Sequence, residues 1–204
     1  MAGVVSYGVP GFSPPESTRL QPFTDEQLID QINAGNSAAF AQLYQRYKHA
    51  LFAFCMRLLK DRDDALDAVQ EAFVKIHNRL PTLHDPASFR AWMFTIVRNE
   101  AYAILRRKKN LEGLDGEAQD VWEEGTPLDS MIGKERVEIV QRLLERLKPE
   151  YREVLMLREY EQLSYAEIAA VTGDTESSVK SRLFKARRAL TKKFMPYVAE
   201  RKEP

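Results

Sequence analysis

Residues 164–190 read SYAEIAAVTGDTESSVKSRLFKARRAL, and this stretch decides the fold of the carboxy-terminal half of the chain. Ser164 and Glu167 have the spacing of a capping box, in which each side chain bonds the backbone amide of the other residue. The helix that begins there stops near Gly173, and a short turn covers Gly173–Thr175. A second helix follows the turn. Two helices joined by a tight turn that contains glycine predict a helix-turn-helix.

The second helix of this motif has an apolar face and a basic face. At 100° per residue, its apolar side chains fall within one arc that docks the helix on its domain: Val179, Leu183, Ala186 and Leu190. The opposite side carries polar, basic and aromatic side chains: Ser177, Lys180, Ser181, Phe184 and Arg188, with Lys185 and Arg187 beside them. A helix fits the major groove of DNA, where Lys and Arg reach guanine or phosphate. The alternative is a solvated basic face, but the place of this face on the second helix favours DNA reading.

The charge of the chain is unevenly distributed. Its 30 basic and 30 acidic residues cancel to a net charge of zero, which by itself argues against a nucleic-acid partner. Residues 111–129, however, hold seven acids and no base, whereas residues 176–193 hold seven bases and one acid. The zero is therefore a cancellation between segments, and it leaves the second helix of the motif strongly basic.

The rest of the chain predicts a second helical domain and a linker. Residues 1–22 are rich in proline and are typical of a flexible tail. Thr24 and Gln27 form another capping-box pattern, and from there to about Leu105 apolar residues recur at helical spacing. The acidic stretch 111–129 lacks such a period, and no alternating strand pattern stands out. We expect an all-α protein with two small domains: tail 1–22, first domain 23–109, flexible acidic linker 110–130, second domain 131–196 and tail 197–204.

Composition excludes several classes of protein. The single cysteine, Cys55, excludes an internal disulfide, and on its apolar helix it is typical of a core residue in a reducing compartment. The three histidines have no ligand-like spacing, so we expect no metal and no cofactor. No apolar run approaches the ~18 residues of a membrane span. The first residues lack the basic start of a secretory signal, which predicts a cytoplasmic protein without membrane insertion.

The carboxy-terminal half resembles a known family. LSYAEIAAVTGDTESSVKSRLFKARRAL is similar to the DNA-binding region of domain 4 of bacterial sigma factors, and LLERLKPEYREVLMLREYEQLS resembles the segment before it. The family usually places glycine and threonine where this chain has Ser177–Ser178. The resemblance implies that the second helix reads the −35 element, and the outward position of Phe184 on that helix would allow its ring to pack on a thymine methyl. The implied contacts are Ser177, Ser178, Lys180, Ser181, Arg182, Phe184, Lys185, Arg187 and Arg188.

The stretch DALDAVQEAFVKIHNRL, at 64–80, resembles the part of sigma domain 2 that binds the clamp helices of the polymerase β′ subunit. A solvated helix face is the plain alternative. The residues implied for binding core polymerase are Asp64, Asp67, Gln70, Glu71, Phe73 and Lys75.

The stretch FRAWMFTIVRNEAYAILRRKKN, at 89–110, resembles the region that opens and reads the −10 element. Extruded bases must be stacked, bonded on their edges and held in a positive groove. Trp92 and Tyr102 could stack, and Asn99 could pair with a base edge, although Trp92 could equally be a core aromatic. A solvated basic end is the alternative for Arg106–Lys109. The implied −10 contacts are His84, Asp85, Ser88, Phe89, Trp92, Thr95, Arg98, Asn99, Tyr102, Arg106, Arg107 and Lys108.

Together the motifs resemble the extracytoplasmic-function (ECF) group of sigma factors over about residues 25–195. The resemblance implies a polymerase subunit that is not an enzyme. Its implied partners are core polymerase, at the β′ clamp helices and the β flap, promoter DNA and an anti-sigma factor. No stable homo-oligomer is expected. One alternative is a helix-turn-helix activator or repressor that works without polymerase. The other is a nuclease or recombinase whose metal would be held by Asp61, Asp63, Asp64 and Asp67.

Overall fold

The structure is a computed structural model that describes residues 23–111 and 142–199. The predicted tail 1–22, the acidic linker beyond residue 111, residues 131–141 and the end of the chain from residue 200 lie outside the described residues. The described ranges contain helices and turns and no strand, which confirms the all-α prediction. None of their helices is long and apolar enough to cross a membrane.

Residues 23–111 form a helical unit that we call the amino-terminal bundle. Its four α-helices are α1 (Asp25–Asn33), α2 (Ser37–Leu59), α3 (Arg62–Arg79) and α4 (Phe89–Leu111). Two 3₁₀ turns, Leu80–Thr82 and Pro86–Ser88, connect α3 to α4. Helix α4 continues past residue 109, where the sequence placed the start of the linker.

Local side chains set the ends of these helices. Thr24 and Gln27 form the predicted capping box of α1, with the Thr24 amide 2.9 Å from the Gln27 Oε1. The Asp61 carboxylate accepts hydrogen bonds from the first amides of α3. Helix α3 ends at Arg79 because Pro81 cannot continue it, and the chain tightens into the 3₁₀ turn.

The core of the amino-terminal bundle lies between α2, α3 and α4. The rings of Phe54 and Phe94 meet edge to face at 5.4 Å, and those of Tyr47 and Phe89 meet at 5.8 Å. Cys55 is buried among them as predicted, and burial raises the pKa of its thiol to about 12. A thiol with so high a pKa stays protonated and unreactive near neutral pH.

Residues 142–199 form a second unit that we call the carboxy-terminal unit. Residues 142–145 are helical, followed by α5 (Pro149–Leu155), a π-helical turn (Met156–Tyr160), α6 (Tyr165–Thr172) and α7 (Glu176–Ala199). Helices α5 and α6 both pack on α7. Helix α7 passes residue 196, where the sequence placed the start of the carboxy-terminal tail.

The two units pack against each other. Helix α4 lies on α6, helix α2 contacts α5, and the buried side chains of both units form one continuous cluster. The sequence predicted two separate domains on a flexible linker. The sequence did not predict this contact, because the periodicity of apolar residues within one helix does not specify which helices of the other unit it packs against.

Candidate nucleic-acid interface

Helix α7 presents the two faces that its sequence predicts. Val179, Leu183 and Ala186 are buried against the carboxy-terminal unit, and Leu190 is partly buried. The outward side chains are exposed: Ser177, Lys180, Ser181, Phe184, Lys185, Arg187 and Arg188. Phe184 is 67% exposed, which is unusual for so large an apolar side chain and leaves its ring available to a partner.

The turn before α7 fixes the angle at which the helix leaves the unit. Ser164 and Glu167 form the capping box of α6, with the Ser164 amide 2.7 Å from the Glu167 Oε2. Gly173 ends α6 in the left-handed conformation, with φ of 72°. Arg182 of α7 reaches back to Asp174, with 2.8 Å between Nη1 and the carboxylate. The helix-turn-helix is therefore held at both sides of its turn.

Four of the predicted −35 residues have partners within the carboxy-terminal unit; one is Lys180, whose Nζ lies 4.0 Å from the Glu176 carboxylate. Besides Arg182, Arg187 bonds the Glu159 carboxylate at 2.6 Å. Ser178 is half-buried and donates its amide to the Thr175 hydroxyl at 3.2 Å. An open pocket of about 420 Å³ lies beside α7, lined by Glu150, Tyr151, Ser177, Ser178, Ser181, Arg182 and Lys185. The predicted −35 face of α7 thus combines exposed side chains with others that are held by partners in the same unit.

The predicted −10 residues fall into two groups by exposure. His84, Asp85, Ser88, Asn99, Arg106 and Arg107 are exposed. Phe89 is buried in the core against Tyr47, so its ring packs beneath the surface and is not accessible to DNA. Trp92 is half-buried beside Phe89, with one part in the core and the other at the surface.

Arg98 and Tyr102 of α4 meet a carboxylate from the other unit. The Arg98 Nε lies 2.5 Å from the Glu153 Oε1, and the Tyr102 hydroxyl donates to the Glu153 Oε2 at 3.1 Å. Burial raises the pKa of Glu153 despite the attraction of Arg98. The pKa of Tyr102 is also raised, by burial and by the Glu153 charge.

Two further predicted −10 residues, Lys108 and Thr95, form ion pairs or hydrogen bonds within the amino-terminal bundle. Lys108 pairs with the Asp64 carboxylate and lies 3.8 Å from that of Asp61. The Thr95 hydroxyl donates to the Ala91 carbonyl at 2.8 Å, a bond within α4. Within α4, the predicted −10 residues that remain exposed are Asn99, Arg106 and Arg107.

Helix α3 carries the residues predicted to bind polymerase. Asp67, Gln70 and Glu71 are exposed on one side of the helix. Phe73 is buried against Tyr44, so it shapes the helix from inside and offers no surface to a partner. Lys75 pairs with Glu100 at 2.7 Å, which also accounts for an acid on the apolar side of α4.

Two exposed apolar side chains on α3 were missed by the sequence reasoning. Val74 is 56% exposed, and Leu66 is also exposed. Val74 follows Gln70 and Glu71 by four and three residues, so all three share one side of the helix. The sequence does contain a signal for Val74, because this apolar residue lies outside the helical period of the buried residues of α3.

Two of the four acids considered as a metal site have other partners. Asp61 caps α3, accepting the amides of Asp63 and Asp64 at 3.0 Å, and Asp64 pairs with Lys108. No group of three or more His, Cys, Asp or Glu side chains within 23–111 and 142–199 is arranged to hold a metal ion.

Comparison with known proteins identifies both units. The amino-terminal bundle matches the family model described as Sigma-70 region 2 over residues 43–111. The model described as Sigma-70, region 4 matches residues 137–190, which include the helix-turn-helix.

Two curated relatives are similar over almost their whole length. The chain is 31% identical to the RNA polymerase sigma-H factor of Pseudomonas aeruginosa over 186 residues, covering 86% of this chain and 96% of that protein. It is also 31% identical to the ECF RNA polymerase sigma-E factor of Escherichia coli K12 over 188 residues, covering 87% of this chain and 98% of that protein.

Solved structures show the same fold. One is CnrH in complex with the cytosolic domain of CnrY, with a TM-score of 0.61 and 26% identity over 88% of this chain and 99% of that one. Another is the sigma factor RpoE in complex with the anti-sigma factor NepR from Bartonella quintana, with a TM-score of 0.61 and 26% identity over 76% of this chain and 96% of that one. With both regions present in order and relatives matched end to end, the chain belongs to the sigma-70 family of RNA polymerase sigma factors, in its ECF group.

Proposed function

We propose that this sigma factor binds core RNA polymerase and directs it to promoters by reading the −35 element as duplex and the −10 element as separated strands. The observation that carries the proposal is the presence in one chain of the helix-turn-helix face of α7 and the surface of α4, each within its matching sigma region. An activator or repressor that acts without polymerase would need no second surface of this kind.

Helix α7 reads the −35 element in the major groove. Its exposed Lys180, Lys185 and Arg188 reach phosphates or guanine edges, and Phe184 packs on a thymine methyl. Asp174 holds Arg182, so that this guanidinium lies in a fixed position at the side of the pocket. Because the helix is anchored by buried Val179 and Leu183, the fold sets its angle to the groove.

Helix α4 and the preceding turn hold the −10 element. Asn99 has the amide that pairs with a base edge, and the exposed Arg106 and Arg107 hold phosphates. His84 and Ser88 border the place of a flipped base. Trp92 stacks with the part of its ring that the core leaves at the surface. The chain supplies position and charge, and polymerase supplies the nucleotide chemistry.

The exposed side of α3 binds core polymerase. Asp67 and Glu71 offer carboxylates to a basic partner helix, Gln70 offers an amide, and Val74 adds an apolar contact at the carboxy-terminal end of this patch. Interfaces of this kind commonly place apolar side chains inside a polar rim. The carboxy-terminal unit binds the β flap. When the protein is not bound to polymerase, an anti-sigma factor covers its polymerase-binding and DNA-binding surfaces.

Run-off transcription tests this proposal. Purified core polymerase and genomic promoter fragments are incubated with and without the protein. Specific transcripts are expected only with the protein, and an Asn99→Ala/Trp92→Ala double variant that still folds is expected to lose them while binding −35 duplex DNA. The matched control is Gln45→Ala, an exposed change on α2 at a residue assigned neither to DNA nor to polymerase.

The opposite result is equally clear. If the protein binds duplex DNA but neither binds core polymerase nor produces a transcript, it works as an ordinary helix-turn-helix regulator. If the double variant transcribes like the wild type, α4 does not hold the −10 strand.

A further inference from the structure

The surface assigned to the −10 element is partly covered by the chain itself. Glu153 lies on α5 of the carboxy-terminal unit, and its side chain is fully buried, with 0% exposure. Both hydrogen bonds that the structure gives this carboxylate come from α4 of the amino-terminal bundle, from Arg98 and Tyr102. The Arg98 guanidinium also lies over the Tyr102 ring, 4.5 Å from its centroid. One carboxylate therefore holds two side chains of the proposed DNA surface.

The contact around Glu153 is built from both units. Arg152 is 2% exposed and donates to the carbonyls of Arg57 and Leu58, in the last turn of α2. These carbonyls have no partner within the helix, so the guanidinium fills the place of a helix cap. On the other side, Arg90 of α4 donates to the Glu161 carbonyl at 2.8 Å.

A carboxylate and a phosphate make the same demand on an arginine. Each presents two anionic oxygens to the N–H groups of the guanidinium, and each is bound by charge-assisted hydrogen bonds. Glu153 and a DNA strand therefore cannot use Arg98 and Tyr102 at the same time. We propose that Glu153 is an internal competitor for promoter DNA, and that the free chain must release Glu153 from Arg98 and Tyr102 before the −10 strand can bind. This inference rests on the proposed function, since it concerns the regulation of the same surface.

The burial of Glu153 makes this contact suitable for release. Taking a carboxylate and a guanidinium out of water costs much of the energy that their attraction returns. The raised pKa of Glu153 reflects this cost, because it shows that burial outweighs the attraction of Arg98. The Glu153–Arg98 pair therefore adds little net stability to the closed arrangement, and a partner that favours the open arrangement can displace this carboxylate.

The test is the variant Glu153→Lys in the full chain, which places a cation against Arg98. Its first readout is the distance between the units, from energy transfer between dyes on Gln45→Cys and Thr191→Cys, two exposed positions, one in each unit. The natural Cys55 does not compete for dye, because it is buried and its pKa is raised to about 12. The second readout is binding of a single-stranded oligonucleotide that carries the −10 sequence of a promoter found by run-off transcription.

The expected result is a fall in energy transfer and about tenfold tighter binding of the single strand. The affinity rises because the open arrangement, which binds DNA, becomes the major state of the free protein. Glu159→Lys is the matched control, because it makes the same change of charge at an exposed position that pairs within the carboxy-terminal unit. This control is expected to keep the energy transfer of the wild type. Unchanged distance and strand binding in a folded Glu153→Lys protein would overturn the inference.

A second variant decides the matter if Glu153→Lys does not fold. Arg90→Glu changes a partly exposed side chain and sets a carboxylate against Glu161, so it is also expected to lower the energy transfer. An unchanged distance in this variant overturns the inference. Run-off transcription by the wild type is measured in the same series. Transcripts from the wild type, together with variants whose units do not separate, would contradict only this inference. Variants whose units separate, together with a wild type that gives no transcripts, would contradict only the proposed function.

Discussion

Arg152 and Glu153 are neighbours in the sequence and both are buried, yet the structure satisfies them in different ways. The Arg152 guanidinium bonds five backbone carbonyls, those of Arg57, Leu58, Leu144, Glu145 and Leu147. Glu153 instead depends on the side chains of Arg98 and Tyr102. Backbone carbonyls are fixed by the path of the chain, whereas side chains can turn to other partners. Of the two, Glu153 is therefore the contact that can be exchanged for DNA.

Phe184 gives the sharpest prediction at the scale of a single residue. Because its ring is 67% exposed, Phe184→Ala removes little packing and is expected to leave the thermal midpoint unchanged. Loss of the contact with a thymine methyl is expected to weaken binding to −35 duplex DNA by about 1 kcal/mol, roughly fivefold. Fluorescence anisotropy with a labelled duplex measures the affinity.

Leu183→Ala is the matched control for Phe184, since the adjacent residue faces the core with 1% exposure. Truncating a buried leucine costs about 2–5 kcal/mol, so this variant is expected to lose stability first. If Phe184→Ala binds the duplex as tightly as the wild type, the exposed ring does not contact DNA.

At the scale of the element, the helix-turn-helix depends on local chemistry. The Ser164–Glu167 capping box starts α6, Gly173 ends it, and Asp174 holds Arg182 at the start of α7. Each of these contacts joins residues that are close in the sequence. This is why the motif was predictable from residues 164–190 alone.

Gly173→Ala tests the turn. Gly173 has φ of 72°, a conformation that costs an L-residue about 1–2 kcal/mol. An added Cβ would meet nothing within 4 Å, so the cost is that of the backbone and not of a clash. Urea unfolding is expected to show a loss of this size.

Gly173→Asn serves as the companion variant, because asparagine tolerates the left-handed conformation better than alanine. It is expected to lose less stability than Gly173→Ala. Equal losses in the two variants would mean that the glycine is required for a reason other than its φ angle.

At the scale of the whole molecule, closure of the two units is expected to depend on pH. Burial raises the pKa of Glu153, which faces Arg98, Tyr102 and Arg182, and that of Glu161, which faces Arg90 and Arg57. In the open arrangement both carboxyls meet water and regain pKa values near 4.5. The closed arrangement therefore binds protons more tightly, so a fall in pH favours closure and a rise favours opening.

Energy transfer between the labelled units measures this dependence. It is expected to increase as the pH falls through the raised pKa values, with the full effect reached below the ordinary value of 4.5. Glu153→Gln stays neutral and keeps a hydrogen-bonding side chain, so it is expected to remain closed and to show a weaker pH dependence. A decrease in transfer on acidification would contradict the assignment.

The sequence determined the helices, their caps and the reading face of α7, because capping boxes, apolar periods and basic faces are all written within a few turns of one helix. It also determined the family, through motifs in both units. Only the tertiary structure decided which of these side chains are accessible. Phe73 and Phe89 are buried in the core, whereas Val74 is exposed, because small differences in helix rotation decide burial at the edge of an apolar stripe. The pairing of Glu153 with Arg98 and Tyr102 joins residues more than fifty positions apart, and no local pattern specifies such a contact. It exists because two folded units meet and bury these charges together.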